Sequence, residues 1–325
     1  MNKRVLLSTT SFQDTPGSHQ ELLNAQGWDL VLERGPLSEE RMLELAGDFD
    51  AFLCGDDIIS QAVIDKCLPR LQCISKYGIG LDKIDVDYAT EKKLPVLFTP
   101  GVNHTTVAEH AFGFMLSLSK KIHSNACDVT AGKWQTGWKK PVGHEVFGKT
   151  LGIIGLGRIG KEVAIRAKAF GMEVIAFNRT FDSDFAAELG IHQGASAQQV
   201  IESADVISLH CMLTPETRGL INAEQIDRLK DGVLLINCAR GEVINSDDVA
   251  AALASGKIGG FAADVLDVEP PATHHPLLNA PNTIITAHIA SRTHESVQRQ
   301  ANRCLNNLIN FFDKTDDVLC ANGVI

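Results

Sequence analysis

The chain has 325 residues, of which 44% are apolar and 22% are charged, and its formal net charge is −10. This length is enough for two domains with well-buried cores, and the acidic balance argues against nucleic acid or an acidic membrane surface as a partner. A soluble cytoplasmic protein is expected, because the first residues lack the apolar stretch of a signal peptide and no run approaches the roughly 20 apolar residues of a membrane span.

Short apolar runs alternate with helical patterns along most of the chain, which is typical of βαβ units and a parallel sheet. Five runs in the first hundred residues predict strands, at 4–8, 28–33, 51–54, 73–76 and 95–98. Helical patterns lie between them, such as those at 18–27 and 60–70. After a break at Thr99-Pro100-Gly101, an amphipathic pattern predicts one long helix over roughly Thr105 to Ala126.

A second series of apolar runs begins near Gly152 and predicts further strands, at 151–155, 173–177, 206–210, 232–237, 258–264 and 283–288. A last helix is predicted over 294–312, and it has no sheet of its own to cover. We therefore expect it to return to the first domain. The pattern predicts a discontinuous first domain, residues 1–100 and 291–325, and a second domain, residues 101–290.

A glycine-rich turn, Gly155-x-Gly157-x-x-Gly160, directly follows one of these apolar runs and opens a helical segment. This context favours a dinucleotide-binding turn over glycines that serve packing alone. The first glycine permits the tight turn, the second lets the backbone approach a pyrophosphate, and the third allows close packing of helix on strand. The helix amino terminus supplies amide donors and a favourable dipole.

The next strand ends at Asn178, eighteen positions after Gly160. In the NAD form of this motif an acidic residue at about this point accepts hydrogen bonds from the ribose. Asn178, Arg179 and Thr180 offer only neutral or cationic donors, whereas an acid would repel a 2′-phosphate. The sequence thus favours NADP, with Arg179 donating to the phosphate. The alternative is NAD with Arg179 as a solvated charge.

Three polar residues follow strand ends in the second series. Arg240 follows the run 232–237, Glu269 follows 258–264, and His288 stands at the end of the last run. Because ligands bind at the carboxyl ends of the strands in open parallel sheets, we expect these side chains to converge beside the cofactor.

Cysteine and histidine give no sign of a metal site. Eight cysteines are scattered without a C-x-x-C pair, which favours free thiols in a reducing cytoplasm over disulfides. His274 and His275 are adjacent but stand between prolines without a second group of ligands, so a solvated loop is expected there.

Over nearly its whole length the chain resembles the D-isomer-specific 2-hydroxyacid dehydrogenases. The motifs that carry the resemblance are LGIIGLGRIG, LHCMLTPETRGLI, LLINCARGEVINSDDVAAAL, GFAADVLDVEPP and AHIAS, with KYGIGLDKID and PGVNHTTVAEHAFGFML upstream. The resemblance implies an α/β enzyme with two Rossmann-like domains, each with a parallel sheet, around a cleft. It also implies a discontinuous, flavodoxin-like substrate domain and a homodimer.

The three polar residues then acquire roles in a hydride transfer between a nicotinamide cofactor and a 2-oxo or 2-hydroxy acid. We expect His288 to exchange the proton, Glu269 to orient it and stabilise its cation, and Arg240 to bind the substrate carboxylate. Further substrate and cofactor residues are expected, some from the patterns above and others from the resemblance. The substrate-binding residues are Lys76, Tyr77, Gly78, Ile79, Gly80 and Arg292. The cofactor-binding residues are Val107, Gly155, Gly157, Arg158, Ile159, Gly160, Asn178, Arg179, Thr180, His210, Cys211, Thr217, Cys238, Ala239, Asp264 and Ala290.

Two departures from the family bear on the substrate. Phosphoglycerate-oxidising members have Arg where Lys76 stands, and Arg292 is less usual in the family. If both cations border one cleft, they favour a dianionic 2-oxo acid over glyoxylate. The alternative is that Lys76 is solvated and Arg292 pairs with the terminal helix, for example through Glu295.

The sequence leaves several functions open. A glyoxylate or hydroxypyruvate reductase is favoured, and the alternative enzyme is an NAD-linked phosphoglycerate or sugar-acid dehydrogenase. A dinucleotide-sensing corepressor shares the fold, but the chain lacks the disordered tails such regulators use.

Overall fold

The computed structural model describes residues 2–135 and 137–324. The chain divides into two compact units, Met1–Asn103 with Arg292–Ile325, and His104–Ser291. We call them unit 1 and unit 2. Unit 1 is therefore discontinuous in sequence.

The two units contain alternating strands and helices. The strands are β1 (Arg4–Leu7), β2 (Asp29–Leu32), β3 (Ala51–Cys54), β4 (Cys73–Lys76), β5 (Val96–Leu97), β6 (Thr150–Ile154), β7 (Glu173–Phe177), β8 (His192–Gln193), β9 (Val206–Leu209), β10 (Val233–Asn237), β11 (Ile258–Ala263) and β12 (Thr283–Ile285). The helices are α1 (Thr10–Asp14), α2 (Ser18–Ala25), α3 (Glu39–Leu45), α4 (Gln61–Cys67), α5 (Val86–Glu91), α6 (His104–Ser119), α7 (Ile122–Thr130), α8 (Arg158–Ala169), α9 (Ser183–Leu189), α10 (Ala197–Ser203), α11 (Ala223–Asp227), α12 (Ser246–Ser255) and α13 (His294–Asp313).

Unit 1 is built on a parallel sheet with the strand order β2-β1-β3-β4-β5, which is the flavodoxin-like order. Helix α13 begins after Thr293, whose side chain accepts a hydrogen bond from the Ser296 amide and so satisfies one of the free donors of the first turn. Apolar side chains of α13, such as Leu305, lie in one core with Val5 and Leu97 of the sheet. The terminal helix therefore covers the first sheet.

Unit 2 is built on a parallel sheet with the strand order β12-β11-β10-β9-β6-β7-β8. The order reverses between β6 and β9, and in such sheets ligands bind outside the carboxyl ends of the strands at this switch point. The glycine-rich turn follows β6 and His210 follows β9. Arg240, Glu269 and His288 lie in the loops after β10, β11 and β12, at the same edge of the sheet.

The predicted fold class is confirmed, and each apolar run assigned to a strand overlaps one. The single helix predicted over Thr105 to Ala126 is wrong, because the chain forms α6 and α7 instead. Lys121 has a left-handed backbone, with φ 54°, and the Ser119 carbonyl accepts from the His144 amide at 2.7 Å. Strand β8 was not predicted, because its two residues are polar and exposed. Within the described part of the chain, no helix is both long and apolar enough to cross a membrane.

Candidate active site

His288 and Glu269 form a hydrogen-bonded pair in unit 2. The distance from Nδ1 of His288 to Oε2 of Glu269 is 2.8 Å, and Oε1 of the same carboxylate accepts from the Leu266 amide at 2.9 Å. Both side chains are about one third exposed, at 36% and 35%. The Leu266 amide therefore fixes the Glu269 carboxylate, and the carboxylate in turn fixes the His288 imidazole. The other ring nitrogen, Nε2, is the one that does not bind Glu269. The pairing expected from the sequence is present.

Arg240 lies in the loop after β10, and the buried side-chain amide of Asn237 holds this loop. Oδ1 of Asn237 accepts from the Ala239 amide at 3.0 Å, and its Nδ2 donates to the Arg240 carbonyl at 2.9 Å. Asn237 itself is fully buried. The backbone on either side of Arg240 is thus held, which limits the positions its guanidinium can take.

The loops that carry Arg240 and Glu269 pack directly against each other. A Cβ at Gly241 would lie 1.9 Å from the carbonyl carbon of Leu266 and 2.1 Å from the Asp267 nitrogen. Only glycine allows this approach without a backbone shift. Arg240 and Glu269 are therefore brought together by contacts within unit 2.

Asp264 holds the loop in which His288 lies. Its backbone carbonyl accepts from the His288 amide at 2.9 Å. Its carboxylate accepts from the Ile289 amide at 2.9 Å and the Ala290 amide at 2.6 Å, and from the Thr286 hydroxyl at 2.5 Å. Asp264 is among the expected cofactor-binding residues, yet most of its acceptor capacity serves this loop.

The three glycines of the turn have different surroundings. Gly155 has φ 101° and a Cβ there would lie 2.5 Å from the His210 carbonyl carbon, while a Cβ at Gly160 would lie 2.2 Å from the Gly155 oxygen. A Cβ at Gly157 would meet no atom within 4 Å. Gly155 and Gly160 are thus required by the protein itself. The open space at Gly157, with Arg158 and Ile159 beginning the twelve-residue helix α8, fits a pyrophosphate.

The segment after β7 borders an open groove of about 610 Å³. Its lining includes Gly157, Arg158, Lys161, Thr180 and Asp182. Lys161 forms an ion pair with Asp182, and the Asn178 side-chain amide donates to the Thr180 carbonyl at 2.6 Å. Asn178 therefore shapes the local turn.

Arg179 lies close enough to Glu216 to affect its titration. The pKa of the Glu216 carboxyl lies below its usual value because of a hydrogen bond from Thr214 and, to a lesser extent, the charge of Arg179. Glu216 lies in the loop after β9, the loop that also carries His210.

His210 is partly buried at the switch point of the sheet. Its Nε2 lies 2.7 Å from the Ser208 hydroxyl, and burial lowers its pKa to about 4. Its Nδ1 is buried and has no hydrogen-bond partner among residues 2–135 and 137–324. Such an atom is consistent with a ligand group nearby, since buried polar atoms in proteins are normally paired.

The other predicted cofactor residues lie in the loops after β9, β10 and β12 of unit 2, apart from Val107 in α6. Burial raises the pKa of the Cys211 thiol to about 11 and raises that of Cys238 further. Thr217 donates to the Met212 carbonyl at 2.7 Å and so closes the loop after β9. The remaining residues are buried, namely Val107 in α6, Ala239 and Ala290.

In unit 1, the predicted substrate loop follows β4. Gly78 has φ 127°, and its amide donates to the Thr99 hydroxyl at 2.9 Å. Ile79 is 38% exposed and Gly80 is partly buried. The Tyr77 hydroxyl is buried without a hydrogen-bond partner in the described part of the chain, and burial raises its pKa.

The two cations expected to bind a second anion have carboxylate partners within unit 1. Lys76, whose side chain is only 3% exposed, lies 2.6 Å from Asp56. Arg292 lies 3.7 Å from Asp14, which also accepts two hydrogen bonds from Arg34. Lys76 is therefore buried and not solvated as the alternative had it, and Arg292 pairs with Asp14 of α1 instead of the suggested Glu295.

His275 also differs from expectation, because it is buried rather than solvated. Its side chain is 8% exposed and its Nε2 lies 2.8 Å from an Asp267 oxygen. His274 is exposed. Among the described residues no group of three or more His, Cys, Asp or Glu side chains is placed to hold a metal ion.

Sequence reasoning missed Asn237, Thr286 and His110. Asn237 lies within the recognised motif, three residues before Arg240, and this position was its only signal. His110 Nε2 lies 3.0 Å from the Thr286 hydroxyl although the two are 176 positions apart. Such a contact has no signal in a single sequence.

Comparison with known proteins gives consistent matches. The family described as D-isomer specific 2-hydroxyacid dehydrogenase, NAD binding domain, matches residues 112–290. A glyoxylate reductase from Korarchaeum cryptofilum is 36% identical over 287 residues, 87% of this chain and 86% of that protein. A D-3-phosphoglycerate dehydrogenase from Bacillus subtilis is 40% identical over 76% of this chain, which spans only 46% of its length. The TT0316 protein from Thermus thermophilus has a similar structure, with a TM-score of 0.88, 31% identity and coverage of 98% and 99% of the two chains.

Proposed function

Because the chain belongs to the D-isomer-specific 2-hydroxyacid dehydrogenase family, we propose that it reduces a small 2-oxo acid, glyoxylate or hydroxypyruvate, to the 2-hydroxy acid. The observation that carries this proposal is the His288–Glu269 pair, 2.8 Å apart, together with the packing of the Glu269 loop against the loop of Arg240. An acid–base group and a carboxylate-binding group beside a dinucleotide turn are what this reaction needs.

His288 is the proton donor in this proposal. Its Nδ1 faces Glu269, so the proton exchanged with substrate is carried on Nε2. As hydride reaches the carbonyl carbon, the π electron pair moves to oxygen, and the Nε2 proton is transferred there to complete the hydroxyl. In the oxidative direction the neutral imidazole takes the hydroxyl proton back. Glu269, held by the Leu266 amide, keeps the ring oriented and stabilises its cation.

Arg240 binds the substrate carboxylate and polarises the reacting carbonyl. A guanidinium matches a carboxylate with two parallel hydrogen bonds, which fixes orientation as well as position. The backbone amides of Ile79 and Gly80, in unit 1, are also proposed to bind substrate. Lys76 and Arg292 are not assigned to a second anionic group, since each has a carboxylate partner.

The residues present fit a nicotinamide dinucleotide, which when bound supplies or accepts the hydride. The pyrophosphate would be held by the turn at Gly157 and the first amides of α8, and the family description supports NAD binding. We propose further that NADPH is preferred. The support is that no acid ends β7, where Asn178 and Thr180 stand, and that Arg158 lines the adjoining groove.

The direct test is turnover of purified protein with a panel of 2-oxo acids and each reduced cofactor. We expect oxidation of NADPH with glyoxylate or hydroxypyruvate, and a higher kcat/KM with NADPH than with NADH. Reduction of no 2-oxo acid with either cofactor would overturn the proposed function. Equal or better efficiency with NADH would overturn only the cofactor preference. The same assay with 3-phosphoglycerate and NAD tests the second candidate, which is suggested by the match to the Bacillus subtilis protein over part of its length.

We also propose a homodimer in a reducing cytoplasm. The segment from α7 to β6 leaves large apolar side chains exposed, including Trp134 at 73%, Val142 at 81% and Phe147 at 73%. Large apolar side chains left exposed in one segment fit an interaction site. Light scattering during gel filtration is expected to give twice the mass of one chain. The variant Val142→Glu should lower that mass if this segment is the interface.

A further inference from the structure

The loop that carries His288 has a strained backbone. His288 has φ 54°, a left-handed conformation that is unfavourable for a residue with a Cβ. Such strain persists only where surrounding contacts determine the conformation. Contacts from neighbouring residues must therefore hold His288 in this conformation.

Asp264 supplies the first layer of contacts. Its carboxylate, with the side chain 2% exposed, accepts from the amides of Ile289 and Ala290, the two residues after His288. Its carbonyl accepts from the His288 amide itself. Asp264 therefore binds the loop at three successive residues, and the position of its carboxylate decides where the imidazole stands.

Thr286 and His110 form a second layer behind Asp264. The Thr286 hydroxyl lies 2.5 Å from Oδ1 of Asp264 and 3.0 Å from Nε2 of His110. A hydroxyl has a single proton. Since the carboxylate can only accept, Thr286 donates its proton to Asp264 and must accept from His110.

His110 must therefore carry a proton on Nε2. Burial lowers the pKa of His110, against the opposing charge of Asp264, which favours the neutral imidazole. In the neutral ring, a proton on Nε2 leaves Nδ1 bare. The ring of Phe114 packs edge-on against His110, with centroids 4.4 Å apart, and limits its rotation. The donor is thus held by packing as well as by its hydrogen bond.

We propose that Thr286 and His110 are positioning residues for the acid–base step. They hold the Asp264 carboxylate, which in turn holds the strained loop and keeps His288 Nε2 aligned with the reacting oxygen. This inference rests on the proposed function for its chemical readout. It assigns no contact with substrate or cofactor to either residue.

The test compares Thr286→Val, Thr286→Ser and the matched control Thr283→Val. Thr283 begins strand β12, and its hydroxyl donates to the Pro281 carbonyl at 3.3 Å, away from Asp264. Thr286→Val keeps the shape and removes the hydroxyl, so we expect kcat to fall about tenfold or more, since a misplacement of about 1 Å can lower a rate a hundredfold. KM for hydroxypyruvate should change little. Thr286→Ser should recover most of kcat, and Thr283→Val should behave as the unaltered protein.

Two further measurements separate positioning from general damage. The solvent deuterium isotope effect on kcat should rise in Thr286→Val, because proton transfer becomes more rate-limiting. Hydrogen exchange of the Ile289 and Ala290 amides should become faster in Thr286→Val and in His110→Phe. Unchanged kcat and isotope effect in Thr286→Val, or equal losses in the Val and Ser variants, would overturn the proposal. If the unaltered protein reduces no 2-oxo acid, the proposed function fails, and the exchange of these amides still decides whether the clamp exists.

Discussion

The glycines at positions 157 and 160 offer a test that separates folding from ligand binding. In Gly160→Ala the new methyl group would lie 2.2 Å from the Gly155 oxygen and 3.2 Å from Ile153 Cγ2. The first atom is backbone and must shift, so the overpacking should cost about 1–3 kcal/mol of unfolding free energy. For a unit of this size, each kcal/mol lowers Tm by about 2–4 °C.

In Gly157→Ala the methyl group meets no protein atom within 4 Å, and the φ of −82° suits any residue. Only the amino-terminal capping preference changes, so the loss should stay below about 1 kcal/mol. The same methyl group occupies the space where we place the pyrophosphate. We therefore expect the Kd for NADP⁺ to rise about tenfold or more, which corresponds to at least about 1.4 kcal/mol.

Scanning calorimetry and isothermal titration with NADP⁺ measure the two effects on the same samples. The expected pattern is a lower Tm for Gly160→Ala, and a nearly unchanged Tm with weakened binding for Gly157→Ala. Wild-type affinity in Gly157→Ala would refute the placement of the pyrophosphate. An unchanged Tm in Gly160→Ala would refute the packing argument.

Three other outcomes are expected. Asn178→Asp should reverse the cofactor preference, because an acid restores the ribose acceptor and repels a 2′-phosphate, and kcat/KM ratios that still favour NADPH would contradict this. Burial lowers the His210 pKa from 6.5 to about 4, so its contribution to stability is complete above pH 6.5 and is lost as the pH falls toward 4. Relative to His210→Asn, the unfolding free energy of the unaltered protein should fall by about 3 kcal/mol between pH 6.5 and pH 4. The same difference between the two proteins in urea unfolding at both pH values would argue against it. Gly113→Ala, in the interior of α6 with no atom within 4 Å of the new methyl group, should raise unfolding free energy by about 0.5–1 kcal/mol, and no gain in thermal scans would contradict the helix-propensity reasoning.

The strands and the glycine turn could be predicted because each has a local signal. An apolar run between helical patterns is enough to place a buried parallel strand, and Gly155 to Gly160 directly follows such a run. Strand β8 and the break at Lys121 have no such signal. Strand β8 consists of two exposed polar residues. The break at Lys121 accompanies a hydrogen bond between Ser119 and His144, which are distant in sequence.

The candidate site shows the same division. Arg240, Glu269 and His288 could be chosen because strand ends and family motifs mark them. Their supports could not, since the Asp264 carboxylate binds residues 22 to 26 positions away and His110 acts across 176 positions. The partners of Lys76 and Arg292 were missed for the same reason. The position of a Lys or Arg in a sequence does not show which carboxylate pairs with it in the fold.

The central claim is that His288 exchanges the substrate proton, and the most direct measurement is kcat of the variant His288→Asn. With NADPH and hydroxypyruvate or glyoxylate, whichever the unaltered protein reduces faster, we expect kcat to fall about a hundredfold or more, while the Kd for NADPH stays nearly unchanged. Near-normal turnover in His288→Asn would contradict the mechanism.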